Sequence, residues 1–158
     1  MKRKCKGIKI KPGGILRIFF PEDAKDLADE WLRIFGKDRL GANTKTYMWH
    51  VFSAGRYKAL SGTEAITQYE QQKAIEYIIL SNDLDIAFIT DVRPTECSLS
   101  DYYVFPKNFA WTMAFTHEDG WLGPYFAYHA NYTSLNQSNL VKLQKAHEAE
   151  VAKNKGWC

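Results

Sequence analysis

Trp111-Thr-Met-Ala-Phe-Thr-His117-Glu118-Asp119-Gly120-Trp121-Leu122-Gly123-Pro124-Tyr125-Phe126-Ala127-Tyr128-His129 is the stretch whose reading decides the fold. Ala110 to Glu118 alternates large apolar with smaller residues, and Pro124 to His129 is dominated by aromatics, the period and composition of strands. Glu118 to Gly123 is too long for a two-residue turn and sets Trp121 between two glycines. The two runs therefore form a final hairpin with a wide, aromatic-tipped loop. Such a hairpin, preceded by other strands and by helices in no repeating strand-helix order, predicts an α+β domain rather than a doubly wound one.

Outward from this hairpin, Tyr102 to Phe105 reads as a short strand ended by Pro106, and Arg93 to Asp101 as a loop. Tyr77-Ile-Ile-Leu80 and Ile86-Ala-Phe-Ile89, separated by Ser81 to Asp85, read as a strand hairpin or as a helix end followed by a strand. From Thr46 to Ser53, Tyr47, Trp49 and Val51 alternate with Met48, His50 and Phe52, which predicts a central strand buried on both faces. Lys37 to Lys45 is a polar connection. About five strands are expected in one largely antiparallel or mixed sheet.

Three helices are expected, mainly on one side of that sheet. Pro21 to Phe35 places Ala24, Leu27, Ala28, Trp31, Ile34 and Phe35 on one face, with Pro21 at the start and Gly36 at the stop. Ser61-Gly-Thr-Glu64 has the spacing of a capping box, opening a helix from Gly62 to Lys73. Asn136 to Lys153 has helix-forming composition. Residues 1–14 read as a basic arm and 15–158 as a single domain, large enough to bury a core without cross-links.

The formal charge of +3 hides an asymmetry. Six of the 21 basic residues lie in the first eleven positions with no acid among them, leaving 15 basic against 18 acidic groups over the rest, a net of −3. Residues 76–129 hold eight acids against Arg93 and Lys107, a net of −6. An acidic body makes nucleic acid an unlikely partner and allows a basic protein partner. Cys5, Cys97 and Cys158 form no disulfide or zinc pattern, and no run of apolar residues is long enough to span a membrane, so a reducing cytoplasmic setting is expected. Like charge from Asp91 and Glu96 is expected to keep the Cys97 thiol protonated.

Two site readings follow. In the first, Asp91, Glu96, Asp101, Tyr102, Asp119, Trp121, Tyr125 and Tyr128 form an acidic, aromatic surface for a cationic partner, because large aromatics anchor at small entropic cost and carboxylates select basic groups. In the second, His117, Glu118 and His50 act around the final hairpin. Strict alternation places His117 with Trp111, Met113 and Phe115, and Glu118 on the opposite face, so the two point apart unless the strand has ended. Otherwise His117 closes a core face with one nitrogen hydrogen-bonded. His50, His117 and His129 with Asp91 could meet at a metal, but no two have the spacing of a ligand pair. Ser53 lacks a nucleophile elbow, and no cofactor is expected.

Met48-Trp-His-Val-Phe-Ser53, Ser61-Gly-Thr-Glu-Ala65, Tyr103-Val-Phe-Pro106, Trp111-Thr112, Thr116-His-Glu118 and Gly123-Pro-Tyr-Phe126 together carry a resemblance. The chain resembles a family of small bacterial domains of uncharacterised function, over about Trp31 to Phe126, with the arm and last helix outside. That resemblance implies a bacterial setting and no particular activity. Small bacterial α+β proteins of this size and acidity are also similar to immunity proteins that neutralise toxins by direct binding, an analogy of kind and not of motif. A non-enzymatic, toxin-neutralising binding protein is the first expectation, and a small enzyme or metal-binding protein using His117 and Glu118 is the alternative.

Overall fold

Helix α1 (Pro21–Phe35) forms where its sequence places it. Pro21 opens it, Glu22 and Asp23 occupy its first turn and Arg33 its last, each charge at the end of the helix dipole that favours it. Ala24, Ala28, Trp31 and Phe35, spaced by four and three, make its buried stripe. The chain is known from a computed structural model that describes residues 8–117 and 123–154.

The buried stripe lies on a sheet of seven strands: β2 (Arg17–Ile18), β5 (Ala87–Thr90), β4 (Tyr77–Ser81), β7 (Tyr102–Phe105), β8 (Trp111–Phe115), β9 (Tyr125–Tyr128) and β3 (Leu60–Ser61), in that spatial order. Every pairing is antiparallel. Tyr77 faces Thr90 and Leu80 faces Ala87, so the Tyr77 to Ile89 segment is the hairpin alternative of the sequence reading. Trp111 opposite Tyr128 and Ala114 opposite Tyr125 set the final hairpin. The runs read at Tyr77, Ile86, Tyr102, Ala110 and Pro124 are the five central strands β4, β5, β7, β8 and β9, and the sheet adds the two-residue edges β2 and β3. A separate ladder pairs β1 (Ile10–Lys11) with β6 (Glu96–Cys97), so the chain enters the fold from within the basic segment.

Side chains alternate between two cores across the sheet. Ile78, Leu80, Tyr103, Phe105, Ala114 and Tyr125 pack with α1 and with α2 (His50–Ser53). Tyr77, Ile79, Val104, Trp111, Met113 and Phe126 pack with α3 (Gly62–Glu70), and Tyr132 and Leu135 of α4 (Tyr132–Asn154) join them. The class and the antiparallel main sheet are as expected, but the helices cover both of its faces and are not gathered mainly on one side. Strands β4, β5 and β7 are buried along their whole length for this reason.

The expected strand from Thr46 to Ser53 is not one. Its C-terminal half is the short helix α2, and Met48, Trp49, Val51 and Phe52 are buried because this turn lies flat on the α1 face of the sheet. Burial on both sides of a compact turn imitates the signature of a central strand. The capping box also fails: Ser61 is the N-cap of α3 but its hydroxyl makes no cap bond. Ser61 pairs with Tyr125, and the Gly62 N–H is taken by the Pro124 carbonyl at 3.0 Å. Gly62 carries a φ of +61, the left-handed region open to glycine, where the strand turns directly into the helix. Helix α3 ends at Glu70, short of the expected Lys73.

Candidate functional site

The sheet end formed by β7, β8 and the Tyr47–Ser53 segment gathers unlike polar groups around one carboxylate. Asp101 precedes β7, and its side chain is only 6% exposed. Its Oδ1 and Oδ2 lie 2.9 and 3.0 Å from His117 Nδ1. Oδ2 also accepts the Trp49 Nε1–H at 2.8 Å. A carboxylate only accepts, so the His117 Nδ1 carries a proton. The imidazole is 37% exposed, open to solvent above a buried counter-group.

His117 reaches this position because β8 ends at Phe115. Strict alternation, which would set it beside Trp111, no longer applies. Its ring instead lies 5.1 Å from Tyr47 and 6.4 Å from Trp49, on the α2 side. His50 lies 5.4 Å from Tyr47 and 4.6 Å from Trp49, so the two histidines flank one aromatic pair. The His50 Nδ1 meets the Asn43 carbonyl at 2.8 Å. A carbonyl likewise accepts only, which places the His50 proton on Nδ1 and its lone pair on Nε2.

Asn82 holds the segment in place. Its Oδ1 accepts from the Tyr103 hydroxyl at 2.6 Å and from the Met48 N–H at 3.2 Å, and its Nδ2 donates to the Thr46 carbonyl at 2.7 Å. The Tyr103 hydroxyl in turn accepts the Trp49 N–H at 3.0 Å. Burial pushes the Tyr103 phenol well above its ordinary range, so it serves as a neutral hydrogen-bonding group. Asn82, Tyr103, Tyr47 and Trp49 were missed as site residues: Asn82 looks like ordinary hairpin-turn chemistry, and the others like core aromatics.

The remaining sequence candidates fall in different places. Tyr102 and Tyr125 are buried in opposite cores, and Asp101 is buried within the network above. Tyr128 is half-buried and donates its hydroxyl to Gln68. Asp91 and Glu96 are exposed, and Glu96 stands opposite Lys11 in the β1–β6 ladder. Glu118, Asp119 and Trp121 lie outside the described residues.

His129 is not with the other two histidines. Its Nδ1 accepts the Asn131 N–H at 2.9 Å, and burial, with Arg33 nearby, lowers its pKa. Among the described residues no three His, Cys, Asp or Glu are grouped to hold a metal ion. The Cys97 thiol is held protonated by burial in the first place, not by the like charges expected. Ser53 donates to the His50 carbonyl.

Fold and site thus define a small α+β domain with a carboxylate–histidine pair at one end of an antiparallel sheet. A family model described as "Domain of unknown function (DUF4275)" matches residues 20–126, and the chain belongs to that family. The match takes in Tyr47, Trp49, His50, Asn82, Asp101, Tyr103 and His117, and leaves out the basic arm and α4. Comparison with curated proteins and with solved structures gives no match. Among the described residues no helix is long and apolar enough to cross a membrane.

Proposed function

We propose that this domain works by proton transfer, with His117 as general acid–base and Asp101 as its positioning residue. The observation that supports this most is a nearly buried carboxylate with both oxygens turned to one imidazole nitrogen while the ring stays open to solvent. Such a base–orienter pair fixes the tautomer and aim of an imidazole before a substrate arrives. His50, across Tyr47, supplies a second imidazole with its lone pair on Nε2. The reaction class that suits the pair is hydrolysis by an activated water.

A panel of activated esters, phosphodiesters and amides tests this reading. Turnover by the wild type should fall by about 10²-fold or more in His117→Gln. Turnover undiminished in that variant, or none from the wild type across the panel, would overturn it.

A second reading is supported by the exposed acids Asp83, Asp91 and Glu96 in the acidic middle of the chain. It makes the domain a binding protein of the immunity kind, with a basic partner such as a cognate toxin. Its mark is salt-sensitive association that weakens on charge reversal at Asp91 while the fold is retained.

A further inference from the structure

Along the outer edge of the sheet, away from the Asp101–His117 network, lies a cavity of about 500 Å³. Its lining is largely apolar, with the half-buried Tyr57, Ala59, Leu60 and Tyr128 reaching it. Tyr57 is a fixed wall: its hydroxyl donates to the Tyr128 carbonyl, and its ring meets Phe35 edge-on at 5.4 Å. The rim carries Lys37, Arg56 and Lys58 against the single acid Asp38. None of the three cations appears in an ion pair among the described residues. The chain beyond its arm is net negative, so three cations on one rim depart from its average surface.

Arg56 is seated in this rim. Its backbone N–H donates to the Val51 carbonyl at 2.9 Å, which fixes the loop to the end of α2. Gly41, at a φ of +90, leaves the room for its guanidinium: a Cβ there would stand 2.6 Å from Arg56 Nη2. A second cavity of about 190 Å³ shares Lys37 and Tyr57 and adds Arg33 and His129. With His129 Nδ1 accepting from Asn131, the neutral ring carries its proton on Nε2, so that wall too can offer a donor.

A few hundred cubic ångströms, an apolar lining and a small number of placed polar groups match a small-molecule site. Donors and cations without matching carboxylates select an anion. We propose that this edge cavity binds an organic anion, a flat apolar body lying against Tyr57 and Tyr128 with its carboxylate or phosphate held by Lys37, Arg56 and Lys58. The inference is independent of the acid–base reading, since no residue of that network lines the cavity.

Calorimetric titration of the full chain with 1-naphthyl phosphate and 1-naphthoate tests it, with 1-naphthol and inorganic phosphate as controls. Saturable one-site binding of either naphthyl anion is expected, and which one binds more tightly identifies the anionic group. Each control should bind at least about tenfold more weakly, since it lacks the charge or the apolar body. Arg56→Ala should weaken the anion by about tenfold with the unfolding transition unchanged. Lys58→Gln serves the same purpose should the first variant fail to fold. Ring signals of Tyr57 and Tyr128 should shift on titration. Absence of saturable binding for both anions, binding indifferent to both substitutions, or inorganic phosphate binding as well as the aromatic anions would overturn the proposal.

Discussion

Asp101 is the residue around which the site is organised, and its sequence context gives little sign of it. It ends a loop in the acidic middle of the chain, so charge patterning assigns it to a surface. Its contacts with Trp49 and His117 are set by tertiary placement, 52 and 16 residues away in sequence. His117 itself was legible as a polar residue closing an aromatic strand, but its face depended on where β8 stops. Asp101→Asn keeps the shape and replaces one acceptor oxygen by a donor aimed at existing donors. It should cost about 1–3 kcal/mol of stability, measured by urea unfolding; an unchanged midpoint would show that the network contributes nothing to the fold. His129 gives a pH signature. Burial lowers its pKa below the ordinary 6.5, so the unfolded chain binds the proton more readily than the folded one. Stability from the neutral ring is complete above about 6.5 and is lost as pH falls through the lowered value. His129→Gln should flatten the fall in melting temperature between about pH 7 and 5, and an unaltered slope would contradict that origin.

At the scale of elements, local signals succeeded where one periodicity ruled alone. Helix α1 and the strand at Trp111 were legible because a 3.6 or a 2.0 period ran unbroken, whereas the short apolar runs at Tyr77 and Ile86, buried on both faces, do not alternate and left a helix end open beside the hairpin. The Thr46–Ser53 segment failed because its burial comes from lying across the sheet, which an aromatic-rich octapeptide cannot reveal. Helix α3 was placed correctly by its N-cap position, while the capping bond was displaced by strand pairing through Ser61 and Gly62. Helix α1 is fixed to β8 by one polar bond: Trp31 Nε1–H donates to Thr112 Oγ1 at 2.8 Å, with both residues fully buried. Thr112→Val keeps the volume and leaves the indole N–H without its acceptor, which should cost about 1–3 kcal/mol. Chemical denaturation checks this, and a stable Val variant would show that the indole finds another partner.

For the whole molecule, class and sheet direction were legible in the order of elements, whereas the covering of both faces was not. One side of a sheet is decided by which residues of a loop or helix reach it, and composition does not record that. Charge asymmetry was legible too, but not its distribution: the basic segment folds back as β1 against the acidic loop at β6, and a cationic rim stands beside the β9–β3 edge of the main sheet. Helix α4 leaves the body after its first turns. Asn139 is its one buried residue, and Leu140, Val141 and Val151 are exposed. Truncation after Gln144 should therefore change stability by no more than about 0.5 kcal/mol; a loss above 1 kcal/mol would mean that the distal helix is covered in solution. The most direct measurement is a pH titration of the imidazole ¹⁵N signals of His117 in the wild type and in Asp101→Asn. A neutral ring protonated at Nδ1 in the wild type, with that preference weakened in the variant, is the predicted result. A ring protonated at Nε2, or one indifferent to residue 101, would contradict the acid–base pair on which the functional reading rests.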